Sequence, residues 1–213
     1  LHKKQDMTRM LCRKVGGCIQ RCMGIDAANA IYNVSYEADK VNPGATCYHE
    51  NFKKWLTRFQ KEDLVGCCAQ TDVKGDRLLR PAEQPNAGAY VHIKERLKDG
   101  IVVEGCKVHI SEASVADEVL VIPTRALRVE DKDYAVAFAV PGDWDGLTQV
   151  MTLHNLRERE HYKRGFVPGM TDSYMIFDNC FVPWERVFLA GEHLYGGILA
   201  LLFALFHRHS YSG

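Results

Sequence analysis

The sequence carries no net charge: 27 Lys and Arg balance 27 Asp and Glu among 213 residues. With no basic excess, nothing supports a nucleic-acid or other polyanionic partner. A long apolar run is also missing. The best candidate, residues 194–206, falls short of the roughly 18 residues a membrane-spanning helix needs, and it suits a buried helix. Internal repeats and low-complexity stretches are absent, which sets aside solenoid and disordered architectures. The opening decapeptide, LHKKQDMTRM, is charged and has no apolar core, so it does not read as an export signal.

What is present is ordinary globular composition, 46% hydrophobic and 25% charged, in a chain long enough to bury a real core. Eight cysteines stand at positions 12, 18, 22, 47, 67, 68, 106 and 180. In a short secreted chain they would suggest disulfides. Here they read as reduced thiols or metal ligands in a cytoplasmic protein. The chain begins with Leu1 and stops at Ser210-Tyr211-Ser212-Gly213, just after an apolar helix. Both ends are therefore expected to be cuts in a longer polypeptide.

Three zones follow one another, so the fold class is α+β. Residues 1–65 read as helical, since Leu11, Val15, Ile19 and Met23 fall at helical spacing. The stretch from Ala27 to Glu37 continues that helix or follows a break. Asn42-Pro43-Gly44 marks a turn, and residues 49–63 carry Phe52, Trp55, Leu56 and Phe59 on a second amphipathic helix. Residues 66–190 become extended. A hairpin is predicted from Tyr90–Ile93, through the turn Lys98-Asp99-Gly100, to Ile101–Ile110. Further strands are expected at 118–123, 134–140 and 174–182, giving an antiparallel barrel or sandwich. Residues 191–213 return to helix, from Leu194 to His209.

Four short motifs are able to carry chemistry. Cys18 and Cys22, four apart on a helix, project to one face and would reach one metal or one cluster edge. On spacing alone, two small residues packed in a helix interface is the more ordinary reading. The run Thr71-Asp72-Val73-Lys74-Gly75-Asp76-Arg77 has the composition of a tight loop that offers N–H groups, a hydroxyl and a guanidinium to a phosphate or a ring edge. It is equally a common solvated turn. His109-Ile110-Ser111-Glu112 ends a strand, where a hydroxyl serves a cofactor atom or simply caps the strand. His207 and Tyr211 share a helical face, as metal ligand or proton acceptor and as substrate hydrogen-bonder, or as an ordinary helix terminus. Cys67, Cys68, Cys106 and Cys180 read as core residues.

These signals occur in one order that resembles the 4-hydroxyphenylacetate 3-hydroxylase family, and within it the branch that dehydrates 4-hydroxyacyl-CoA thioesters. The matching stretches are CIQRCMGIDAANA at 18–30, TDVKGDR at 71–77, DGIVVEGCKVH at 99–109, DKDYAVAFA at 131–139, IFDNCFVPWERVFL at 176–189 and HRHSY at 207–211. The resemblance implies an acyl-CoA dehydrogenase-like fold. The chain would hold the end of an N-terminal helical domain (1–65), a β-barrel flavin-binding domain (66–190) and the start of a second helical domain (191–213). It implies FAD and a [4Fe-4S] cluster as cofactors. Cys18, Cys22 and His207 match cluster ligands, with the family's third cysteine one position past Gly213. Flavin contacts fall on Gln70, Thr71, Asp72, Val73, Lys74, Gly75, Asp76 and Arg77, and on His109, Ile110, Ser111 and Glu112. Arg9, Asp172, His207 and Tyr211 match catalytic positions. Two departures stand out: Ser111 where that branch has Thr, and Asp172 where it has Glu. The implied reaction converts 4-hydroxybutyryl-CoA to crotonyl-CoA, with vinylacetyl-CoA isomerisation beside it, in a homotetramer. The alternatives are a two-component flavin-dependent aromatic monooxygenase and a truncated, non-catalytic flavin-binding paralogue.

Overall fold

The computed structural model describes residues 3, 6, 7, 10, 25–41, 43–152 and 172–206. Residues 3, 6, 7 and 10 are helical, and after them come α1, Ile25–Val41, and α2, Tyr48–Lys61. In α1 the buried positions Ala27, Ala30, Ile31, Val34 and Ala38 recur at helical spacing. In α2 Tyr48, Asn51, Phe52 and Trp55 form the buried face. The start of α2 is capped from α1. Asp39 accepts from Thr46 Oγ1 at 2.7 Å, Tyr48 N at 3.0 Å and His49 N at 2.9 Å, which satisfies two N–H groups the helix cannot.

Eight strands follow: β1 Gly66–Ala69, β2 His92–Arg96, β3 Gly100–Ser111, β4 Glu118–Val121, β5 Val136–Pro141, β6 Leu147–Thr152, β7 Asp172–Pro183 and β8 Val187–Ala190. They form two four-stranded sheets, ordered β1-β4-β5-β8 and β2-β3-β7-β6. Of the two architectures expected, the described strands therefore make the sandwich rather than the closed barrel. Every pairing is antiparallel except β1 with β4, which is parallel.

The first sheet is covered on both faces, so apart from Glu118 these strands read as continuous apolar runs: Glu118–Val121, Val136–Val140 and Val187–Ala190 are buried throughout. One face meets the second sheet, with Phe138 edge-on to Phe177 at 5.7 Å. The other meets the helices, where Phe188 packs against Phe52 at 5.1 Å and Trp55 at 6.1 Å. A buried carboxylate fastens that layer. Glu118 accepts from Trp55 Nε1 at 3.1 Å, from Arg186 at 3.1 Å and from the Arg58 guanidinium.

The second sheet alternates, as a sheet with one wet face does. In β7 Ser173, Met175 and Phe177 point in while Tyr174 and Ile176 are exposed. The hairpin β2–β3 forms where the turn signal placed it, with Leu97 N donating to Gly100 O at 2.8 Å. The β3–β7 register shifts between Val103 and Gly105, where one residue of β3 faces two of β7, and Gly105 has a φ of +131°. A Cβ there would stand 2.4 Å from Tyr90 O, so only glycine lets the two segments approach.

The last described element is helix α3, His193–Phe206. It packs beside α1, with Tyr195 Oη donating to Glu37 O at 3.1 Å. Leu194, Ile198, Leu201 and Leu205 form an exposed stripe along it. Among the described residues, no helix is long and apolar enough to cross a membrane.

Candidate functional site

The chain leaves the first sheet at the end of β1 and crosses to the second. Ile122 N still bonds Ala69 O at 3.2 Å, but two residues on, Val108 N bonds Thr71 O at 2.8 Å and Val73 N bonds Cys106 O at 3.3 Å. An isolated bridge pairs Asp72 with Lys107. This corner lays the predicted stretch at 70–77 alongside the predicted stretch at 109–112. Between them opens a cleft of about 50 Å³, lined by Cys68, Gln70, Thr71, His109, Ile110, Ser111 and Phe203. Two segments far apart in sequence, read separately as polar turns, thus share one wall. Cys68 and Phe203 were not anticipated. Phe203 comes from α3, whose apolar run predicts a buried helix but not which side chain turns inward.

The β3 end of the cleft is irregular. The ladder with β7 shifts register between Lys107 and Ile110, and His109 and Glu112 take left-handed φ values of +58° and +60°. Non-glycine residues rarely adopt this conformation. Here it turns the His109 imidazole outward, 6.1 Å from the Tyr174 ring, and starts the short turn Ala113–Val115. The side chains of Gln70, Thr71 and His109 form no hydrogen bond within the described residues. Ser111 is engaged: its hydroxyl donates to Asp172 Oδ1 at 2.8 Å, across the register pair that β3 makes with β7. A predicted cofactor contact and a predicted catalytic carboxylate are therefore direct partners.

The rest of the loop is less open than its composition suggests. Asp72 is buried and paired to Lys107 at 2.8 Å, and it accepts from Val91 N at 3.0 Å, so its carboxylate faces no cleft. Burial pushes that carboxyl above the usual range, opposed by the Lys107 ammonium. Asp76 N bonds Gln84 Oε1 at 3.1 Å, and Leu78 N bonds Asp76 Oδ1 at 2.9 Å. These N–H groups are turned inward on the loop and offer no cradle to a phosphate. Lys74, Gly75 and Arg77 remain exposed, and Val73 is half-buried.

Among the cysteines, Cys67 and Cys180 lie in the core as expected, while Cys68 and Cys106 are only half-buried. Both stand near the corner where the two sheets part, and one side of each is left uncovered. Cys18, Cys22, Arg9, His207 and Tyr211 lie outside the described residues. Among the described residues, no group of three or more His, Cys, Asp or Glu stands ready to hold a metal ion.

Comparison with known proteins gives the following relatives. The chain is 38% identical, over its whole length and 44% of the relative's, to 4-hydroxybutyryl-CoA dehydratase/vinylacetyl-CoA-Δ-isomerase of Clostridium aminobutyricum. It is 37% identical over 68% of its length to the oxygenase component of a 4-hydroxyphenylacetate 3-monooxygenase from Geobacillus, covering 30% of that protein. Among solved structures it matches an oxygen-tolerant archaeal 4-hydroxybutyryl-CoA dehydratase from N. maritimus, with a TM-score of 0.88 and 31% identity over 97% of this chain and 42% of the other. It also matches the oxygenase component of 4-hydroxyphenylacetate 3-monooxygenase complexed with FAD, with a TM-score of 0.71 and 27% identity over 91% of this chain and 41% of that one. The chain spans less than half the length of these relatives. The family model for the 4-hydroxyphenylacetate 3-hydroxylase N-terminal region covers residues 1–189, and the chain belongs to that family.

Proposed function

We propose that this chain is the flavin-gripping part of an enzyme that dehydrates a 4-hydroxyacyl-CoA, with 4-hydroxybutyryl-CoA converted to crotonyl-CoA, and that isomerises vinylacetyl-CoA at the same site. The reading rests on one observation: Gln70–Thr71 and His109–Ser111 converge beside Asp172 in a chain 38% identical throughout to a dehydratase/isomerase.

The residues suit a flavin at this cleft. Gln70, Thr71 and His109 supply unengaged polar groups, and Ile110 and Phe203 supply apolar surface. A cleft of about 50 Å³ takes only the edge of a ring system, against the roughly 300 Å³ or more of a complete ligand pocket. The rest of the cofactor would lie against parts of the full-length parent. For a [4Fe-4S] cluster the donor set is Cys18, Cys22 and His207, two thiolates and an imidazole, which suit iron. Bound FAD would supply one-electron chemistry, and a bound cluster a Lewis-acidic iron for the leaving hydroxyl. The chain's own residues would do the rest. Asp172, oriented by the Ser111 hydroxyl, would take up and return a substrate proton. His207, if released from the metal, would accept a second proton and pass it to the leaving hydroxyl, while Arg9 and Tyr211 hold the acyl-CoA. The parent would assemble as a homotetramer.

A second reading is favoured by the 37% identity to a monooxygenase component and by the FAD-complexed structural match: hydroxylation of a phenol by reduced flavin and oxygen, without iron. The Cys18–Cys22 pair argues for the dehydratase, since aromatic hydroxylation has no use for a cluster. A third is a paralogue that binds flavin without turnover.

Anaerobic purification of the full-length parent, followed by iron, sulfide and flavin assays, separates them. Iron, sulfide and FAD together with turnover of 4-hydroxybutyryl-CoA are expected. Flavin without iron would move the assignment to the monooxygenase. The 213-residue chain alone is expected to be inactive.

A further inference from the structure

Beneath the cleft sits a lysine that the proposed chemistry does not use. Lys107, on β3 two positions before His109, is 1% exposed. Its ammonium donates to Gln70 O at 2.9 Å, to Ile122 O at 2.8 Å and to Asp72 Oδ1 at 2.8 Å. Asp72, 4% exposed, takes Val91 N on the same oxygen. An ammonium has three N–H donors, and each is met here. One ion pair thus ties together the segment after β1, the end of β4, the approach to β2, and β3 itself.

Stability does not explain this device. Removing two charges from water costs several kcal/mol per ion, and packed apolar residues of the same volume hold a corner as well or better. What an ammonium does and a methyl group cannot is fix three oxygens at set distances and directions. Two of those oxygens belong to Gln70 and Asp72, on either side of Thr71, and the lysine shares its strand with His109 and Ser111.

We propose that Lys107 and Asp72 are a positioning pair, which sets the spacing between Gln70–Thr71 and His109–Ser111 and so shapes the edge that grips the flavin. The inference rests on the flavin reading of the cleft. The pair touches neither cofactor nor substrate and acts through the backbone it holds. The Gln70–Thr71 segment is held against the strand of His109 and Ser111 through it, because Gln70 O is bonded by Lys107 and Thr71 O by the residue next to the lysine, Val108.

The test is FAD titration of the full-length parent, freed of flavin, following flavin fluorescence and the visible absorption bands. Unsubstituted protein, Asp72→Asn, Lys107→Met and the double variant are compared at a temperature well below their unfolding transitions. Asp72→Asn keeps the side-chain volume and one acceptor oxygen, removes the charge and turns the second oxygen into an N–H donor. The single variants are expected to keep a cooperative transition, to bind FAD about tenfold or more weakly, and to show displaced visible bands. The double variant should lose little more than Lys107→Met alone, because the two side chains act through one contact. Folded single variants with unchanged affinity and bands would overturn the proposal. Loss of the cooperative transition in both would also overturn it, assigning the pair to stability. If the unsubstituted parent takes up no FAD, the flavin reading itself fails, and this inference falls with it.

Discussion

Ser111 and Asp172 face each other at the last register pair of the β3–β7 ladder, hydroxyl to carboxylate at 2.8 Å. A hydrogen bond to a charged acceptor is worth about 1.5–3 kcal/mol, enough to hold the carboxylate in one orientation. In the full-length parent, Ser111→Ala is expected to lower kcat by about tenfold or more with a smaller change in KM, because orientation rather than binding is lost. Ser111→Thr retains the hydroxyl and should retain most of the rate. Steady-state kinetics on 4-hydroxybutyryl-CoA decide the matter, and equal kcat values for the alanine variant and the unsubstituted enzyme would show that the Ser111 hydroxyl does not orient Asp172 for the reaction.

Glu118 is expected to dominate the attachment of α2 to the sandwich. Its buried carboxylate serves Trp55, Arg58 and Arg186 together. Glu118→Gln leaves the enclosed Arg186 without a counter-charge. Both arginines keep some access to water, so the expected loss is about 2–3 kcal/mol, below that of a fully buried pair. Urea denaturation of the chain measures it, and a midpoint unchanged by the substitution would contradict this account.

Acid should open the corner formed by Arg80 and Asp131. Burial alone would raise the Asp131 carboxyl, but N–H bonds from Arg128 and Ala82 and the Arg80 guanidinium at 2.7 Å hold it below its ordinary range. A carboxyl depressed by folding stabilises the folded state above its unfolded pKa of about 3.9, and that contribution disappears as pH falls through the lower folded value. Asp131→Asn should therefore cost stability at neutral pH and flatten the decline below about pH 4. Thermal unfolding measured from neutral to acid pH in both proteins tests this, and parallel curves would show that Asp131 does not contribute.

The thiols should differ sharply in reactivity. Burial, with help from Asp145, pushes Cys180 up to about 12, so it stays protonated at neutral pH. Cys47 is exposed. Brief maleimide treatment of the native chain, read by peptide mass mapping, should label Cys47 and leave Cys180 and the buried Cys67 unmodified. Labelling of Cys180 at a comparable rate would mean that its strand opens readily.

The hairpin β2–β3 was legible in the sequence because Lys98-Asp99-Gly100 is a local signal between two alternating runs. β6 was not, since Leu147 to Thr152 mixes Thr and Gln with apolar residues and offers no clean alternation. The two halves of the cleft were readable as polar stretches, but their meeting was not. It depends on a parallel pairing and a sheet-to-sheet crossing that no neighbouring residues specify. Lys107 had a signal that went unused: it shares the inward face of β3 with Val103 and Gly105, a place where lysine is out of character. For Asp72, composition shows that the residue is charged, not that Lys107 already answers the charge.

The parallel pairing of β1 with β4 also says when the cleft forms. Gly66 and its partner Glu118 are about 50 residues apart, and no tight turn can bring parallel strands together. The β2–β3 hairpin can close on its own, early and locally, whereas this corner must wait until the intervening strands have been laid down. Gln70 and Thr71 are therefore expected to meet His109 later than the hairpin closes. A chain stalled just after that hairpin closes would own β2 and β3 and none of its cleft.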